Sequence, residues 1–146
     1  MTDSSTPAPE DKPPSVQPLA GKTVVLGLDY KTAGLLAYLP ICAINLILSI
    51  VWLQTEPKEN RFLRFHALQS ALMCGAYIVL GVIVWFITLI VAMIPFLNFF
   101  LSKIVGLFWL VVTVVFIWMC IRGMIDAYRG GATKIAFVGD LAEQSL

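Results

Sequence analysis

The residues best suited to chemistry lie in one run, Asn60-Arg61-Phe62-Leu63-Arg64-Phe65-His66-Ala67-Leu68-Gln69-Ser70. It contains His66, the only histidine of the chain. An imidazole can act as a base, a metal ligand or a hydrogen-bond relay. At helical spacing His66, Gln69, Ser70, Met73 and Tyr77 share one face, a polar stripe that reads either as the entrance to a solute path or as a set of interhelical hydrogen bonds. Arg61 and Arg64 share another face, from which they can reach lipid phosphates. Phe62 and Phe65 supply the apolar anchor of a helix lying at the membrane surface. Asn45 belongs to a second stripe with Tyr38, Cys42, Ser49 and Trp52; in an apolar segment it should point at another helix. Ala67, Ala71 and Gly75 follow small-xxx-small spacing, which permits close helix packing.

Catalysis finds little support in these residues. A zinc site takes three or four Cys, His or carboxylate ligands, and one histidine does not supply them. Glu56 and Glu59 stand among Lys58, Arg61 and Arg64 in a charged loop, which reads as solvated. The sequence holds no G-x-x-x-x-G-K-[ST] and no G-x-S-x-G. No enzyme activity, metal or cofactor is therefore expected. Cys42, Cys74 and Cys120 form no C-x-x-C pair and sit in apolar surroundings, where free thiols behave as small hydrophobes.

The elements that hold these residues follow from a shortage of charge. Only 13% of the 146 residues are charged, about half the share usual in a soluble domain. Residues 32–55, 67–102 and 104–121 contain no Asp, Glu, Lys or Arg. Such helices have no polar face for water. The spacing predicts an all-α membrane protein with three transmembrane helices at about 33–53, 67–94 and 104–124, the second with an interfacial amphipathic start. The lipid bilayer is the first expected partner. A net charge of +1 gives no reason to bind nucleic acid.

Residues 1–28 read as a disordered Pro-rich tail and approach, 29–131 as the three-helix domain, and 132–146 as a short C-terminal tail. The middle window is too long for one crossing, since 36 helical residues span about 54 Å; the span is ended before Pro95, leaving Phe96, Phe99, Phe100 and Lys103 as an interfacial turn. Asn60 is the expected N-cap of the second helix, and Gly130–Gly131 the stop of the third. Three crossings put the loop 54–66 and the C-terminus together. Six cations there, against four on the N-terminal side, place that side in the cytoplasm of a bacterial plasma membrane.

The run NRFLRFHALQS resembles the signature of a family of small bacterial membrane proteins similar to the Tic-type channel component of the chloroplast inner-envelope import machinery. Leu36-Ala37-Tyr38-Leu39 in the first span agrees with it. So does a C-terminal element carried by Tyr128, Gly130, Lys134, Gly139, Asp140, Leu141, Ala142 and Glu143, in which Ala136 stands where the family has proline. The resemblance covers residues 30–146. It implies a membrane protein linked to protein transport, with Arg61, Phe62, Arg64, Phe65, His66, Gln69 and Ser70 as its motif positions. The expected role is a non-catalytic subunit or scaffold of a membrane complex, with a protein partner or a second copy of itself. The alternative is an oligomeric pore or small-solute transporter lined by Asn45, Ser49, His66, Gln69 and Ser70.

Overall fold

The computed structural model describes residues 20–135 and 138–144. Most of the tail expected to be disordered, and Ala136, lie outside them. The order is α1 (Tyr30–Ala37), α2 (Cys42–Thr55), α3 (Arg61–Ala92), α4 (Pro95–Arg129) and α5 (Val138–Gln144), with no strand among the described residues. The all-α expectation holds. The three-span expectation does not: among the described residues two helices, α3 and α4, are long and apolar enough to cross a membrane.

The expected first span breaks at Pro40, which has no N–H to offer Leu36 and disfavours helical geometry at Leu39. Leu36 O accepts from Leu39 N instead (3.2 Å), and Ile41 N turns to Leu39 O (2.7 Å). The chain then reverses. Along α2 and α3, Cys42 faces Cys74, Asn45 faces Ser70, and Leu53 faces Arg64, so the two helices run antiparallel. α1 runs in the same sense as α3, with Gly34 beside Phe62 and His66 and Ala37 beside Ser70. Val24 N donates to Glu56 Oε1 at 2.8 Å, joining the approach to α1 to the exit of α2. α1 and α2 thus form a helical hairpin that descends along the first half of α3 and returns. The approach, expected on the opposite face from the 54–66 loop, lies beside it.

Asn60 caps α3 as expected, accepting from Leu63 N at 3.3 Å. α3 has 32 residues, about 48 Å of helix. It ends at Met93, and α4 begins with proline in its first turn, where the missing N–H leaves no bond unmade. Phe96, Phe99, Phe100 and Lys103 are therefore the first turns of a helix, not a surface turn. Gly130, at φ 77°, stops α4 in the left-handed conformation that glycine adopts without strain. Within the expected C-terminal tail, α5 returns to pack on α3.

The core lies at one end. Ala33, Ala37, Tyr38, Trp52, Leu63, Ala67 and Met73 form it with Cys120 and Ala127 of α4. Every buried residue of α3 falls between Phe62 and Cys74. The far halves of α3 and α4 form a two-helix arm, with Trp85, Phe86, Phe96 and Phe100 more than half exposed.

Candidate functional site

The break between α1 and α2 creates the site. A helix end leaves carbonyls without intrahelical partners, and two of those at the break belong to buried Ala37 and partly buried Leu39. Side chains answer both. Ser70 Oγ lies in hydrogen-bonding contact with Ala37 O, and also within 2.6 Å of Asn45 Oδ1. Asn45 Nδ2 donates to Leu39 O at 3.4 Å. Asn45 does point at another helix, and its role is to close the break.

A second chain of bonds runs beside it. Gln69 Nε2 donates to Tyr38 Oη (2.8 Å), and Tyr38 Oη lies 3.1 Å from His66 Nδ1. His66 Nε2 lies 2.9 Å from Gly131 O, while Gln69 Oε1 accepts from Ile135 N at 3.2 Å. The proton order follows. A carbonyl only accepts, so Nε2 carries the hydrogen, and Nδ1 of the neutral ring accepts from the tyrosine. Tyr38, His66 and Gln69 are each bonded at both ends. All three are fully or almost fully buried. The His66 ring is enclosed by Phe62, Phe65 and Tyr38, edge-on at 4.6, 5.5 and 5.7 Å between centroids.

This arrangement corrects several expectations. Phe62 and Phe65 are buried at 0% and 1% exposure and are not lipid anchors, because the α1–α2 hairpin and α4 cover the start of α3. The interfacial amphipathic start is thus an interior segment. Arg64 reaches inward: Nη1 donates to Leu53 O (2.7 Å) and Glu56 O (3.3 Å), capping the last turn of α2. Arg61 is half-buried, and its Nε is enclosed without a hydrogen-bond partner. Glu56 is buried rather than solvated, accepting from Val24 N and from Asn60 Nδ2 at 3.1 Å.

Of the small-residue stripe, only Ala67 is in the core; Ala71 and Gly75 line an open apolar groove beside Val138 and Leu141. Close approach occurs instead at Gly34 and Gly123, against Ala127 and the Tyr38 ring. Sequence spacing does not find these contacts, since each joins segments far apart in the chain. Cys42 and Cys74, expected as free thiols, are a bonded pair with Cα atoms 5.9 Å apart, and Cys120 is free and buried. Among the described residues no group of three or more His, Cys, Asp or Glu stands together to hold a metal.

Gly123 gives a direct check on the packing around Tyr38. A Cβ there would stand 2.6 Å from the tyrosine ring. Gly123→Ala is expected to push the ring off His66 and to cost roughly 1–3 kcal/mol, as overpacking does. A melting temperature equal to that of the unaltered chain would contradict this packing.

Residues 29–142 match the magnetosome magnetite crystal formation protein family. A UPF0132 membrane protein of Methanocaldococcus jannaschii is 36% identical over 124 residues, covering 85% of this chain and 94% of the relative. A second from that organism is 32% identical, covering 84% and 74%, and one from Archaeoglobus fulgidus is 34% identical, covering 78% and 92%. No solved structure matches the chain. The resemblance to the Tic-type channel component is overturned: the family matched is another one, and these relatives are archaeal membrane proteins. In this structure NRFLRFHALQS supplies His66, Gln69 and Ser70 to the internal hydrogen bonds described above. Matched over most of its length, the chain belongs to the magnetosome magnetite crystal formation protein family.

Proposed function

We propose that the protein is a non-catalytic subunit of a larger membrane assembly, docking through the apolar arm of α3 and α4. The observation that carries this reading is the division of the molecule. Its buried polar side chains all lie in the capped end, whereas no residue of α3 beyond Cys74 is buried. Ile78, Val82, Trp85 and Phe86 stand on that arm with 44–58% exposure. Aromatic surface of this kind gives large contact area to a neighbouring helix. The pore reading is weaker, because Asn45, His66, Gln69 and Ser70 are bonded within one chain and offer no lining.

The family description speaks of magnetite crystal formation, and the archaeal relatives are described as membrane proteins. The membrane setting is the part carried over. The returning hairpin changes which cations lie together, and this supports an orientation. Lys22, Lys31, Lys58, Arg61, Arg64, Arg122, Arg129 and Lys134 belong to the capped end, and Lys103 to the half with the α3–α4 turn. By the positive-inside rule such an excess supports a cytoplasmic capped end.

The test is the mass of the particle extracted in native lipid. A protein mass of at least twice the 16.1 kDa chain is expected by light scattering, falling when Trp85 and Phe86 are both replaced by alanine. Single chains in native lipid would overturn the assembly reading.

A further inference from the structure

A cavity of about 630 Å³ opens beside the last turns of α4, next to the hydrogen-bonded lock, which it meets at Gly123 and Ile135. Its apolar wall is Trp118, Met119 and Ile125, and its cations are Arg122, Arg129 and Lys134. The depth of this cavity along the helix is informative. The uncharged window Ile104–Ile121 ends one residue before Arg122. Eighteen helical residues span about 27 Å, close to the hydrocarbon thickness of about 30 Å. Trp118 therefore lies at the edge of the hydrocarbon, and Arg122 to Arg129 in the headgroup layer.

The charges facing the cavity are unequal. The Asp126 carboxylate accepts from Thr133 N (2.7 Å) and Thr133 Oγ1 (2.8 Å), which holds it against the chain after α4. Lys134 pairs with Asp140 at 3.0 Å. Among the described residues no carboxylate lies within ion-pair distance of Arg122 or Arg129. The Arg122 guanidinium sits 5.1 Å from the Trp118 ring centroid, a contact that steadies its position. Seven residues apart, the two arginines share a face two turns, or about 10 Å, from each other. Two long guanidinium side chains can close that gap around one phosphate, which they recognise with paired N–H donors.

We infer that this cavity binds an anionic phospholipid, its phosphate held between Arg122 and Arg129 and an acyl chain laid along Ile125 and Trp118. The two chemistries of the cavity match the two parts of such a molecule. The apolar wall continues into the exposed face of α4, where Ile121 and Trp118 are about half exposed, so the acyl chain has a path into the bilayer. Free phosphate would use the arginines and leave that wall empty.

The test uses the full chain, delipidated in a neutral detergent and titrated with phosphatidylglycerol, phosphatidylcholine or inorganic phosphate, with bound lipid counted by native mass spectrometry. Phosphatidylglycerol is expected to bind about tenfold more tightly than phosphatidylcholine, and the double variant R122Q/R129Q to lose that preference. Both arginines are exposed, so the variant is expected to melt with the unaltered chain. K58Q, which removes an exposed cation at the same end, should keep the preference. Equal binding of the two lipids by the unaltered chain would overturn the inference, as would equal loss in K58Q. Displacement of phosphatidylglycerol by millimolar inorganic phosphate would overturn the lipid assignment.

Discussion

His66→Ala is expected to destabilise the protein by roughly 3–5 kcal/mol, the range for a large buried ring whose loss also strands polar partners. Two costs combine. The ring fills the space between Phe62, Phe65 and Tyr38, so its removal leaves a cavity. It also accepts from Tyr38 and donates to Gly131 O, and alanine leaves a buried hydroxyl and a carbonyl unmatched. Tyr38→Phe separates the two costs, because it keeps the ring and deletes one hydroxyl. Its expected loss is about 1–2 kcal/mol, the share of the hydrogen bonds alone. Denaturant titration of both variants in the same micelles is the measurement. A loss below about 1 kcal/mol for His66→Ala would show that the ring is not the keystone of the capped end.

The second large effect is at the cysteine pair. Cys42 and Cys74 are 32 residues apart in sequence, and a closed loop of that length stabilises by roughly 3–4 kcal/mol through the unfolded state. Reduction, or Cys42→Ala with Cys74→Ala, should lower stability by about that amount. The α1–α2 hairpin should loosen first, since the bond fastens its turn to α3. Thiol titration of the denatured chain gives the direct readout. One reactive thiol, that of Cys120, is expected before reduction and three after it. Three thiols in chain denatured without reductant would remove the bond and its contribution.

How much of this was legible in the sequence depended on the range of each interaction. Charge-free windows located α3 and α4, and local rules placed the Asn60 cap, the stop at Gly130 and the end of α3 before Pro95. The first window misled because length and hydropathy count residues, whereas Pro40 changes direction. A 24-residue charge-free run looks like a crossing even when its carbonyls are answered by Ser70 and Asn45. The polar stripe of α3 was correctly seen as one face. Its partners were not, because Tyr38, Gly131 and Ile135 lie 28 to 66 residues away, and helical periodicity carries no information at that distance. Phe62, Phe65 and Arg64 read as lipid-facing in the sequence for the same reason, since nothing local records that a hairpin covers them.

The returning hairpin also bears on how the chain enters a bilayer. A three-crossing chain must deliver one terminus to the far side. In the two-span reading proposed above the approach, the α2–α3 loop and the end of α4 stay together, and only the segment around Met93 to Lys103 would have to be carried through. That segment holds a single charge, Lys103, and its helix begins at Pro95. Insertion in that reading is that of one bent pair of helices, α3 and α4, with the bond between Cys42 and Cys74 joining the α1–α2 turn to α3.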